Sequence, residues 1–242
     1  MKRSPIRATR PLAVLAIVAL GLTACSSGDG NGNGNGNGNG NGNGVTVNSD
    51  GVTEMPASAL QTQLDSLTKA TLTAAEADNL AWMREEEKLA HDVYVALGEK
   101  WEIKAFDNIS SAESTHTDAV MALLERYGLN DPAAANAPGE FTNPEIQSLY
   151  STLVAQGSTS LVDALTVGAT IEDLDIADLQ ARATTTPDIA MVYANLEKGS
   201  RDHLRAFVKQ LTNQGATYTP THITQDAYEA IVSSDLERGS AS

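Results

Sequence analysis

Residues 80–97 read LAWMREEEKLAHDVYVAL, and stepping through them by threes and fours places Leu80, Met83, Glu87, Ala90, Tyr94 and Leu97 on one face. That period belongs to an amphipathic helix, and the face is apolar except for one glutamate and a tyrosine. Upstream, Thr73 and Glu76 have the spacing of a capping box, so the helix is expected from Ala74 to Trp101.

Working outward, the same pattern recurs three times. Asp107 is the expected cap of a second long helix ending at Tyr127, where Gly128 stops it. A third is expected from about Ser160 to Ala183, and Thr186-Pro187 opens a fourth that runs to about Asn213. Shorter helices are expected after Asn143-Pro144 and after Thr224. Strand signals are weak throughout, so the domain is read as all-α. The links between the long helices are short except for the one at 130–158. One long crossover between the second and third long helices is the connectivity of a ferritin-like four-helix bundle, not of an up-and-down one.

Each of the other three apolar stripes is also interrupted by polar groups at mid-helix. The second reads Ile109, Glu113, His116, Val120, Leu123, Tyr127; the third Leu161, Leu165, Gly168, Glu172, Asp175, Leu179; the fourth Ile189, Tyr193, Leu196, Ser200, His203, Phe207. A single glutamate on such a stripe commonly reaches solvent. Four coincident interruptions imply carboxylates and imidazoles converging in a core, where unpaired charge is strongly destabilising. No Lys or Arg lies on the stripes to compensate. A bound metal does so, because Glu and His ligate iron, manganese and zinc, and the (i, i+3) spacing puts Glu113 and His116 on one face.

Glu87-x-x-Ala90-x-x-x-Tyr94 followed by Glu113-x-x-His116 resembles the first half of a di-iron site of the ferritin-like superfamily, of the rubrerythrin and bacterioferritin kind. The resemblance runs from Leu72 to about Gln214 and implies Glu172 and His203 as further ligands. In that pattern the fourth helix carries a second Glu-x-x-His, but here the glutamate position is Ser200. Asp175 could supply the missing oxygen, giving Glu87, Glu113, His116, Glu172, Asp175 and His203 as ligands; the alternative is a mononuclear or lopsided site. Tyr94 and Ser200 are expected beside the ligands, with Tyr94 read chiefly as a core tyrosine. The implied cofactor is iron, two ions or one, with manganese or zinc as alternatives. The implied chemistry is ferroxidase or peroxide-scavenging oxidation with dioxygen or peroxide as co-substrate; non-catalytic metal capture and a metal-free adaptor are the rival readings. A homodimer is compatible with all of these. Within the superfamily the run Met83-Arg84-Glu85-Glu86-Glu87-Lys88 is similar to the hallmark of a bacterial domain of unknown function, 2202. The Glu85-Glu86-Glu87 run itself is expected to be a solvated face with one member turned inward, and Trp82 and Trp101 to be packing residues.

The amino-terminal end carries a separate signal. Lys2, Arg3, Arg7 and Arg10 precede an apolar stretch from Leu12 to Leu22, too short to span a bilayer, and Leu22-Thr23-Ala24-Cys25 resembles the lipobox of bacterial lipoproteins. Residues 1–24 are read as a signal peptide, Cys25 as the lipidation site, and 25–58 as a flexible linker containing the Asn-Gly alternation from Asn31 to Gly44. The helical domain is read over 59–236 and a disordered tail over 237–242. The expected location is outside the cytoplasm, lipid-anchored to a bacterial membrane. Cys25 is the only cysteine, which removes disulfides and thiolate metal sites. The chain has 16 basic and 31 acidic residues; four of the basic ones fall in the leader, leaving 12 and a formal charge of -19 after it. Such an excess argues against nucleic acid as a partner.

Overall fold

Thr73 opens the first long helix as the capping box predicts, its hydroxyl accepting from Glu76 N–H while Glu76 Oε2 accepts the Thr73 N–H at 2.8 Å. The computed structural model describes residues 46–47, 53–54 and 56–237. In order these form β1 (Thr46–Val47), β2 (Thr53–Glu54), α1 (Ala57–Ser66), α2 (Ala74–Trp101), α3 (Lys104–Tyr127), α4 (Pro144–Gly157), α5 (Leu161–Ala181), α6 (Pro187–Asn213) and α7 (Gln225–Ser233). The class is all-α apart from the two-residue strands, which pair antiparallel with Thr46 opposite Glu54. No helix among the described residues is long and apolar enough to cross a membrane.

The four long helices are α2, α3, α5 and α6. Helix α2 packs on α3, α3 on α6, α6 on α5 and α5 on α2, so the four surround a shared interior. Only Glu102 and Ile103 separate α2 from α3, which folds the second helix back along the first. Glu102 makes that turn in the left-handed region at φ 53° and donates its N–H to Gly98 O at 2.8 Å. Asp107 therefore does not cap α3: Ile103 occupies the cap position without a side-chain bond, and Asp107 lies in the first turn, where its charge suits the helix dipole. The long connection between α3 and α5 carries α4 across α2 and α5.

The buried core divides into two apolar clusters. One gathers Tyr94, Leu97, Phe106, Ile109, Leu165 and Phe207; the other Leu80, Met83, Val120, Leu123, Ile189 and Leu196. Between these levels every long helix contributes polar side chains, so the layer holding them is walled by hydrocarbon at both ends.

The signal peptide, Cys25 and the Asn-Gly alternation lie outside the described residues. Ala57 and Ser58, at the end of the expected linker, already belong to α1. Of the expected tail, Glu237 is described: its carboxylate accepts from Arg201 at 2.7 and 2.6 Å and from Arg205 at 3.0 Å.

A candidate metal centre

Glu113 and His116 face inward from α3 because (i, i+3) spacing stacks them on its buried stripe. Glu113 is the hub. Its Oε2 lies 3.0 Å from His116 Nδ1 and its Oε1 2.7 Å from His203 Nδ1, so one carboxylate meets imidazoles from two helices. His203 comes from α6 and stacks on His116 with ring centroids 5.4 Å apart. Glu87 of α2 approaches His116 Nδ1 at 3.5 Å, and Glu172 of α5 approaches His203 Nδ1 at 3.6 Å. Glu113, His116 and His203 each present a ligand atom within 4.8 Å of the others.

Asp175 sits one turn along α5 from Glu172, against Ser200. The Ser200 hydroxyl also lies 2.9 Å from Leu196 O; having one proton, it gives that proton to Leu196 and accepts from Asp175 when Asp175 is protonated. Tyr94 donates to Glu172 Oε1 at 2.6 Å and lies beside Phe106 and Phe207, closing one end of the polar layer. The structure thus brings Glu87, Glu113, His116, Glu172, Asp175 and His203 into one layer, with Tyr94 and Ser200 bonded to two of the carboxylates.

The charges in this layer are strongly shifted. Burial pushes the Glu87 carboxyl up to about 7, with His116 opposing. Burial also acts to raise Glu113, but the charges of His116 and His203 outweigh it and hold that carboxyl well below the usual range. Against burial, Glu113 and Glu172 pull His203 up to about 9, and Glu113 likewise raises His116 well above the ordinary imidazole value. Asp175 is pushed well above the ordinary carboxyl value by burial and then by Glu87 and Glu86. Without a metal the layer therefore holds extra protons. Several ligand-type atoms remain buried without a hydrogen-bond partner: Glu87 Oε1, His116 Nε2, Asp175 Oδ1 and His203 Nε2. His203 Nδ1, close to Glu113, is also out of hydrogen-bond alignment.

Three features were not anticipated from the sequence. All three glutamates of the 85–87 run are buried, at 3%, 2% and 1% exposure, which corrects the expectation of a mostly solvated face. Glu85 turns to the connection and accepts N–H groups of Thr142 and Asn143 at 2.5 and 3.1 Å. Glu86 accepts from Trp82 Nε1 at 2.5 Å, so that indole is a donor as well as packing, and burial raises the Glu86 carboxyl well above its usual value. Gly199 is the third: a Cβ there would stand 2.4 Å from His116 Cε1. Gly199 stands four residues before His203 on α6, and nothing in that spacing announces a ring arriving from another helix.

Fold and site together define an all-helical protein with a buried carboxylate and histidine cluster shared by four helices. Residues 76–235 match the family described as an uncharacterized protein domain, DUF2202, and the chain belongs to that family. It is 52% identical over 178 residues to the uncharacterized protein MJ0754 of Methanocaldococcus jannaschii, a match covering 73% of this chain and 96% of the relative. The crystal structure of the hypothetical protein MJ0754 from Methanococcus jannaschii is similar with a TM-score of 0.70 and 51% identity, over 71% of this chain and 99% of that one.

Proposed function

We propose that this chain is a ferritin-like metal-binding protein of the four-helix, long-crossover kind, whose buried layer holds iron and serves a non-haem iron oxidoreductase of ferroxidase or peroxide-scavenging type. The observation that carries the reading is Glu113, one carboxylate set against both His116 and His203 while Glu87 Oε1 and His203 Nδ1 beside it lack hydrogen-bond partners. Buried polar atoms without partners are destabilising, and a cation relieves several at once. The donor set fits iron in type, being carboxylate and imidazole with no thiolate. It also fits two divalent ions in charge, since Glu87, Glu113, Glu172 and Asp175 when ionised carry four negative charges. Iron held there would supply ferrous–ferric redox chemistry toward dioxygen or peroxide.

The chain's own residues define what the site can do. Glu113 joins the two imidazoles, Glu87 and Glu172 flank them, and Tyr94 fixes the orientation of Glu172 through its hydroxyl. The apolar clusters at either end exclude water and strengthen every charge interaction inside. Cys25, as a lipidated residue, and the Asn-Gly spacer would hold the domain off a membrane outside the cytoplasm.

Metal capture without turnover is the second reading, favoured by Ser200, which occupies the place of a glutamate and bonds Asp175 instead. Elemental analysis followed by anaerobic ferrous loading and exposure to oxygen separates the two. Two equivalents of iron with rapid oxygen uptake and a new ferric absorption support the oxidoreductase. Tight binding without oxygen uptake supports capture, and a chain that binds neither iron, manganese nor zinc sinks both.

A further inference from the structure

We propose that the seam between α2 and α5 is the path by which a divalent cation enters the buried layer, with Asp178 and Glu86 as its transfer ligands; this rests on the metal-binding reading above. Along one face of α5, Glu172, Asp175 and Asp178 recur at steps of three, passing from 1% and 6% exposure to a side chain that is 22% exposed. These carboxylates form a file from the centre to the surface. Opposite them, Glu86 of α2 bridges the outer and inner parts: Trp82 Nε1 donates to Glu86 Oε2 at 2.5 Å and to Asp178 Oδ2 at 3.0 Å, so the two carboxylates share one indole.

The file contains buried oxygens with no partner. Glu86 Oε1, Asp175 Oδ1 and the Tyr193 hydroxyl of α6 all lie unpartnered. Buried polar atoms in that condition call for a partner, an ion or an ordered water among them. Among the described residues, only Glu113, His116 and His203 bring three ligand atoms within 4.8 Å of one another. Asp178, partly exposed and already paired with Arg182, is placed to hand an ion inward to the buried carboxylates, not to hold it. At the mouth, Arg182 pairs with Asp178 at 2.9 Å and lies 4.8 Å over the Trp82 ring. An arriving cation has to displace this guanidinium from Asp178, which makes Arg182 a brake.

Stopped-flow uptake of cobalt(II) by the full chain, read by its visible absorption with final equivalents measured separately, tests the path. Asp178→Asn and Glu86→Gln are expected to slow uptake about tenfold and Arg182→Gln to accelerate it about threefold, as charge steering of an ion predicts. Final cobalt equivalents should stay at the wild-type value in Asp178→Asn. Wild-type rates in both Asp178→Asn and Arg182→Gln overturn the path and leave the metal-binding reading intact. Fewer cobalt equivalents in Glu86→Gln at an unchanged rate also overturn it, making Glu86 a ligand. A wild-type chain that takes up no cobalt overturns the metal-binding reading and the path with it, before any variant is compared.

Discussion

His116 packs directly onto Gly199: the imidazole of α3 fills the space that a Cβ on α6 would occupy, 2.4 Å from Cε1. The glycine is thus part of how the ring is placed against Glu113. Gly199→Ala favours the helix by about 1 kcal/mol and opposes it by roughly 1–3 kcal/mol of overpacking, so the metal-free fold should lose little. Metal affinity should fall at least tenfold, because His116 must move by more than the tolerance of a ligand. Thermal melts with and without metal check this: a small shift in the metal-free melt and a collapsed metal-induced increase are expected, and an unchanged increase defeats the assignment.

Glu113→Ala combined with His116→Ala removes the hub and one ring. Bound iron should drop by at least half, and the metal-free protein should not regain the loss, since His203 forfeits its 2.7 Å partner. Equivalents per chain from elemental analysis decide it. Unchanged metal content would point to a centre elsewhere or to none.

How much of this could be read in the sequence depends on the period. The stripes of α2, α3, α5 and α6 are set by 3.6-residue repetition, and they delivered all six candidate ligands to one layer because helix packing aligns what periodicity selects. Helix ends marked by local chemistry, such as Thr73 with Glu76 or Asn143 with Pro144, were equally legible. What lay off the stripe was not. Glu85 and Asp173 are each one or two positions from a ligand and look solvent-facing, yet they are 3% and 0% exposed because later segments of the chain cover them. Nothing near either residue announces which loop will arrive. Gly199 was silent for a related reason, since the side chain it admits comes from another helix.

Those two covered acids carry the next prediction. Asp173 accepts N–H groups of Thr221, His222 and Ile223 at 2.6, 3.0 and 2.8 Å and the Tyr218 hydroxyl at 2.8 Å, pinning the segment between α6 and α7. Glu85 does the same for the entry to α4. Removing either carboxylate takes the partner from several part-buried donors, at about 1–3 kcal/mol for each one that water does not reach. Asp173→Ala is expected to destabilise more than Glu85→Ala, with hydrogen exchange accelerating first at residues 218–223 and 142–147 respectively. Exchange that rises uniformly across the domain would contradict these anchors.

Glu87 and His203 make opposite demands on the metal-free and metal-bound protein as pH changes. Both fold with raised values, about 7 and about 9, against ordinary values of 4.5 and 6.5. A raised folded value stabilises below the unfolded one and is lost as pH climbs through the folded one. Stability of the metal-free protein should therefore decline between about pH 4.5 and 9, in the Glu87 window first and the His203 window second. Metal binding requires both protons to leave, so affinity should rise over the same interval, by up to about tenfold per pH unit for each proton displaced. Melting temperature measured against pH with and without metal should show two curves that diverge with rising pH, the metal-free one falling while the gap widens. Parallel curves would mean that neither Glu87 nor His203 gives up a proton to the metal, and would remove both from the ligand set.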